Sequence, residues 1–104
     1  AKWFLQAAKK GYASSQYNLG VMSYLGQGVP QNFTQAANWF EKAGNQDHAS
    51  AQYNLGYIYY EGKGVEKDNL QAYMWIDRSA NLGDKKAIHA RDSMQIVLPK
   101  EIFN

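Results

Sequence analysis

The chain has 104 residues, a formal net charge of +2 and no cysteine, so one domain is expected and a disulfide scaffold, a thiolate metal site and a cysteine nucleophile are excluded. Leu, Ile, Val and Phe supply only 20 residues, but 15 aromatics and 13 alanines provide the rings and methyl groups that closely packed helices bury, which argues against disorder. Residues 1–40 hold Lys2, Lys9 and Lys10 and no acid, and residues 41–104 hold 8 basic and 9 acidic side chains; there is no basic stripe of the kind nucleic-acid binders carry, and no apolar run near the roughly 20 residues of a membrane span.

Residues 1–10 read as the end of a helix stopped at Gly11. Five more helices follow, over 13–25, 32–46, 48–61, 68–82 and 84–97. Pro99 then interrupts, with room for another turn over 100–104. The punctuation is physical. Gly26-x-Gly28 and Gly62-x-Gly64 break the helical pattern and suit left-handed caps and turns. Asn32 with Gln35, and Asp68 with Gln71, are spaced as capping boxes, in which the first side chain accepts an orphan backbone N–H. Gly11 and Gly83 are expected in the left-handed region. Asp47 holds the same place between them, which Asp tolerates less well.

A period of 36 governs these elements. Trp3, Trp39 and Trp75 are 36 apart. Gln16-Tyr17-Asn18-Leu19-Gly20 recurs as Gln52-Tyr53-Asn54-Leu55-Gly56. Laying residues 1–36 over 37–72 gives 17 identities without a gap. Such a period marks a solenoid, in which each unit buries its apolar face against the next. The first helix of each unit (helix A) carries Ala51, Leu55, Ile58 and Tyr59 in one stripe. The second (helix B) carries Ala36, Trp39, Phe40 and Ala43, then Ala72, Trp75, Ile76 and Ser79. The three tryptophans are expected in the core between units. Gly20 and Gly56, each unfavourable inside a helix by about 1 kcal/mol against Ala, are expected where two helices approach closely.

The run Ala51-x3-Leu55-Gly56-x2-Tyr59-x2-Gly62-x-Gly64-Val65-x2-Asp68-x3-Ala72-x2-Trp75-x3-Ser79-Ala80-x2-Gly83 resembles the Sel-one-like repeat (SLR), a relative of the tetratricopeptide repeat. The resemblance implies an all-α, right-handed α/α superhelical solenoid of about three 36-residue helix-turn-helix repeats. Residues 1–12 would be the end of a truncated repeat, 13–48 and 49–84 two repeats, and 85–104 a capping helix and tail, the whole being a piece of a longer chain. Ser15, Ser23, Asn32, Gly44 and Asp47 depart from the pattern in the first full repeat, and Ile76 (usually aromatic) and Ser79 (usually Ala) in the second. After Gly83, Arg91-Asp92 replaces Leu-Gly, as a polar end cap would require. The tail from Arg91 to Ile102 is similar to those of bacterial members, which tilts the expected location towards periplasmic or secreted over cytoplasmic.

No catalytic or metal constellation stands out. His48 and His89 are 41 apart in the sequence, with no second histidine at ligand spacing. His48 beside Asp47 and Ser50 lacks the geometry of a triad, and the Gly-x-Gly loops precede no Gly-Lys-Ser/Thr. Asn32-Phe33-Thr34 is a glycosylation sequon whose Asn is already assigned to a cap.

The second face of helix A is the candidate site. It holds Ser14, Tyr17, Asn18, Val21 and Tyr24, then Ser50, Tyr53, Asn54, Tyr57 and Tyr60, then Lys86 and His89. The resemblance implies a concave, peptide-gripping surface there. In it Asn18, Tyr24, Asn54, Tyr57, Tyr60 and Lys86 contact a protein or peptide partner: amides hold a backbone, tyrosines give flat contact area, and Lys86 meets a carboxylate. About half of these rings are expected in the core, with Tyr57, Tyr60, Asn54 and Lys86 exposed. The function expected is an interaction adaptor with no cofactor and no catalysis, no nucleic acid and no membrane insertion, and with a small-molecule ligand disfavoured. The alternatives are a hydrolase, as credited to cysteine-rich relatives, and RNA binding by helical repeats.

Overall fold

Six helices in chain order make up a computed structural model that describes residues 2–100, and side chains from residue 5. They are α1 (Lys2–Lys9), α2 (Ala13–Leu25), α3 (Phe33–Gly44), α4 (Ala49–Glu61), α5 (Asn69–Asn81) and α6 (Lys85–Val97), with no strand among the described residues. Each packs on its neighbours in sequence, so the fold is the all-α solenoid that the period predicts. It is elongated, 44 × 25 × 18 Å, and exposes 6309 Å² where a compact chain of this mass would expose about 5900 Å². No helix among the described residues is long and apolar enough to cross a membrane.

The caps are local chemistry. Asn32 accepts the N–H of Gln35 at 2.9 Å and Asp68 that of Gln71 at 3.0 Å. His48 starts α4 through Nδ1, which accepts the N–H of Ala51 at 3.2 Å, and Asp84 starts α6 by accepting that of Ala87 at 3.0 Å. Gly11, Gly26, Gly62 and Gly83 are left-handed, and Asp47 joins them at φ 61°, as the common spacing predicts.

The core forms where repeats meet. Ala36, Phe40, Ala43, Ala51, Leu55, Ile58 and Trp75 pack as one cluster, and Ala72, Ile76, Ala80, Ala87, Ala90 and Met94 as a second. The in-helix glycines explain the close approach. A Cβ on Gly20 would stand 2.6 Å from the Phe40 ring, and one on Gly56 2.6 Å from Ile76. Ser79, at a position where the repeat usually has Ala, is fully buried with its hydroxyl donating to the Ala49 carbonyl at 2.7 Å. Arg91, which stands where the two preceding repeats have the buried Leu19 and Leu55, donates to Asp77 at 3.0 Å and to Asn81 at 3.1 Å.

The tryptophans do not behave alike. Trp75 is 9% exposed and belongs to the core. Trp39 is only half-buried, its ring lying 4.7 Å from the Lys42 ammonium, so the expected core role fails there. The side chain of Trp3 lies outside the described residues, as do residues 101–104.

Candidate functional site: a tyrosine-lined groove across helices α2, α4 and α6

Cavities run along one face of the A-type helices α2, α4 and α6. One of about 430 Å³ lies between α2 and α4. Phe40, Ile58, Val21 and Leu25 give it apolar surface, and Tyr17, Tyr24, Tyr53, Asn54, Tyr57 and Glu61 complete its lining. A second, about 90 Å³, occupies the equivalent place one repeat on, between Tyr57, Tyr60, Ile76 and Met94. The third, about 310 Å³, shares Tyr17, Tyr53 and Asn54 with the first and adds Ser50, Asp84, Lys85 and Lys86. The first and third are therefore neighbouring parts of one groove, apolar at one end and charged at the other.

The rings hold one another. Tyr53 and Tyr57 meet edge to face at 5.0 Å and 65°, and Tyr57 and Tyr60 at 6.2 Å and 82°. Tyr17 touches Phe40 at 5.8 Å on one side and stacks on His48 at 4.7 Å and 24° on the other. Such paired rings are stiff, amphipathic surface. Burial, followed by the hydrogen bond with Tyr57 and the charge of Asp84, pushes the Tyr53 phenol up to about 12, so it stays neutral. At the rim, Lys63 donates to the Tyr24 hydroxyl at 3.2 Å and pairs with Glu61 at 3.8 Å. The Tyr24 hydroxyl first, and Glu61 after it, raise the lysine above its ordinary value.

Tyr24, Asn54, Tyr57, Tyr60 and Lys86 each line at least one of these cavities; Asn18 lines none of the three. Asn54 shares one cavity with residues of α2 and another with residues of both α2 and α6. Tyr57 and Lys86 are exposed as expected; Asn54 and Tyr60 are half-buried instead. The expectation that half the rings are core is also corrected. Tyr17, Tyr24, Tyr53 and Tyr60 are half-buried, Tyr57 is 38% exposed, and none is buried. The groove between the helices leaves one side of each ring open. Leu25, Asp84 and Lys85 belong to the lining without having been singled out, and Glu61, which the sequence offers only as a solvated turn acid, lines it too. Leu25 and Glu61 end their helices one residue past Tyr24 and Tyr60, and that adjacency is the only signal for them in the sequence. His48 and Asp84 are occupied as helix caps, and no group of three or more His, Cys, Asp or Glu that could hold a metal ion occurs among the described residues.

The Sel1 repeat model matches residues 1–12, 13–48 and 49–84. The chain is similar to a protective antigen present in uropathogenic Escherichia coli strains displaying an SLR fold, at 38% identity and TM-score 0.81, over 83% of this chain and 18% of that one. It is similar to a Sel1 repeat protein from Oxalobacter formigenes at 36% identity and TM-score 0.85, over 89% of this chain and 38% of that one. Helicobacter pylori cysteine rich protein B matches at 26% identity and TM-score 0.82, over 86% of this chain and 67% of that one. The chain thus spans well under half of the first two proteins. No curated protein gives a significant match.

Proposed function

The chain belongs to the Sel1 repeat family, and from that premise we propose that it is a protein-interaction module that holds a peptide or loop of a partner protein in the groove across α2, α4 and α6. The observation that carries this reading is the 430 Å³ cavity between two repeats, walled by four tyrosines with the Asn54 amide among them. Its size and mixed apolar and polar lining suit a few side chains and a stretch of backbone. Tyrosines contribute contact area at small entropic cost, and an asparagine can both donate to and accept from a peptide unit. Tyr24, Tyr57, Tyr60, Asn54 and Lys86 are the contact residues in this reading. Asn18 would serve only a ligand long enough to pass beyond the groove.

A photo-crosslinking residue placed at Tyr57 in the source cells tests the proposal. It should capture a protein, and Asn54→Ala should abolish the capture while leaving the thermal midpoint unchanged. Loss of the cooperative thermal transition in Asn54→Ala or Tyr57→Ala would show that these residues hold the fold, and the proposal would fail.

A further inference from the structure

The groove is electrically lopsided, and that bears on what it holds. Resting on the reading of this face as a peptide groove, we propose that its occupant is a segment carrying a bulky apolar side chain followed or preceded by an acidic side chain. The apolar group sits in the 430 Å³ cavity and the carboxylate lies at Lys85 and Lys86.

The apolar half follows from the lining. Phe40 is 1% exposed and Ile58 likewise, so both are fixed surfaces, and the rings of Tyr17, Tyr24, Tyr53 and Tyr57 stand around them. An aliphatic or aromatic side chain entering there removes apolar area from water on both partners.

The acidic half follows from which charges are already engaged. Glu61, at the apolar end, is paired with Lys63. Asp84, in the 310 Å³ cavity, accepts the N–H of Ala87 as a helix cap. Lys85 and Lys86 line the same cavity, both exposed, and neither forms an ion pair among the described residues. Two cations against one engaged carboxylate leave that end positive, so a cationic segment is repelled there and an acidic one attracted. Asn54 lines both cavities, where its amide can hold the backbone that joins the two side chains. A carboxylate carried on a side chain leaves the backbone that Asn54 holds free to continue past the two lysines, so the side chain is the source proposed.

Two random dodecapeptide libraries, one with blocked and one with free carboxyl termini, test this against the full chain. Selection should enrich a large apolar residue with Asp or Glu a few positions away, in the blocked library as well as the free one. Synthetic peptides with that Glu changed to Gln should bind about 3-fold more weakly at low salt, the size expected of exposed ion pairs, and the difference should shrink as salt rises. The Lys85→Gln/Lys86→Gln double variant should keep the apolar preference and lose the acidic one. Apolar enrichment without acidic enrichment would overturn the proposal and leave the groove reading standing. Acidic preference in the free-terminus library alone would overturn it in favour of a chain end. Equal selection by wild type and Tyr57→Ala would overturn the groove reading itself, and this inference with it.

Discussion

The side-chain amide of Gln46 donates to Oε1 of Gln16 at 2.9 Å. Gln16 in turn donates to the Ala8 carbonyl at 3.2 Å, tying the end of one helix B to the next helix A. One repeat later Gln52 makes the same tie, to the Gly44 carbonyl at 2.8 Å, and is fully buried. Position 82 now holds Leu where position 46 holds Gln, and Oε1 of Gln52 is buried without a hydrogen-bond partner. An unsatisfied buried acceptor costs about 1–3 kcal/mol. Leu82 is 49% exposed, so little packing is lost by replacing it. Leu82→Gln should therefore stabilise the chain by about 1 kcal/mol, read as a rise of several degrees in the thermal midpoint, and Gln52→Ala should erase the gain.

Gly56 sits in a helix where Ala is intrinsically better by about 1 kcal/mol. A Cβ there would nonetheless stand 2.6 Å from Ile76 Cγ1 and 3.0 Å from the Ala72 carbonyl oxygen. Overpacking of this kind costs about 1–3 kcal/mol, and the Ala72 carbonyl, being backbone of α5, cannot swing aside as a side chain can. Gly56→Ala should be destabilising in chemical denaturation. Gly56→Ala combined with Ile76→Val should recover part of the loss.

The two described tryptophans should differ under truncation. Trp75→Ala removes a buried ring from the core and should cost about 3–5 kcal/mol. Trp39→Ala removes a half-buried ring and should cost clearly less. Urea midpoints of the two variants decide this, and equal losses would contradict the packing described.

His48 links stability to pH. Burial lowers its pKa below the ordinary 6.5, against a smaller raising effect of its own backbone hydrogen bond. Its ring faces Tyr17 from α2, and its neighbour Asp47 lies 3.9 Å from Arg78 of α5. Protonation adds an N–H at Nδ1, which then can no longer accept from Ala51. Because the folded pKa lies below the unfolded one, this stabilisation is present above about pH 6.5 and is lost as the pH falls through the folded value. Thermal midpoints measured from about pH 7.5 down to about pH 5 should drop more steeply for wild type than for His48→Asn, which caps without titrating.

Helices and turns are legible in the sequence because their causes are local. Asn32 and Gln35 are three apart, Gly26 and Gly62 sit at helix ends, and the period repeats both. The face of the groove is legible for the same reason, since helical spacing alone groups Tyr53, Asn54, Tyr57 and Tyr60. Exposure along that face is not. It depends on how far apart α2 and α4 stand, which the fit of Phe40 against Gly20 helps to set across the repeat. The orphaned Oε1 of Gln52 depends on a residue 30 positions away. Trp39 and Trp75 occupy the same register and differ only in their neighbours. Asn18 and Asn54 lie in identical pentapeptides and separate for that reason too.

Gly64 bears on more than its own turn. It is left-handed at φ 72°, a Cβ on it would collide with the backbone of Phe33 and Thr34, and its carbonyl accepts from the Thr34 hydroxyl at 2.9 Å. The loop of one repeat thus rests directly on the first turn of helix α3 in the repeat before. Any side chain at position 64 would have to push the two repeats apart at that point, much as a shim opens a joint. The closeness of one repeat to the next therefore rests in part on a glycine that lines none of the three cavities.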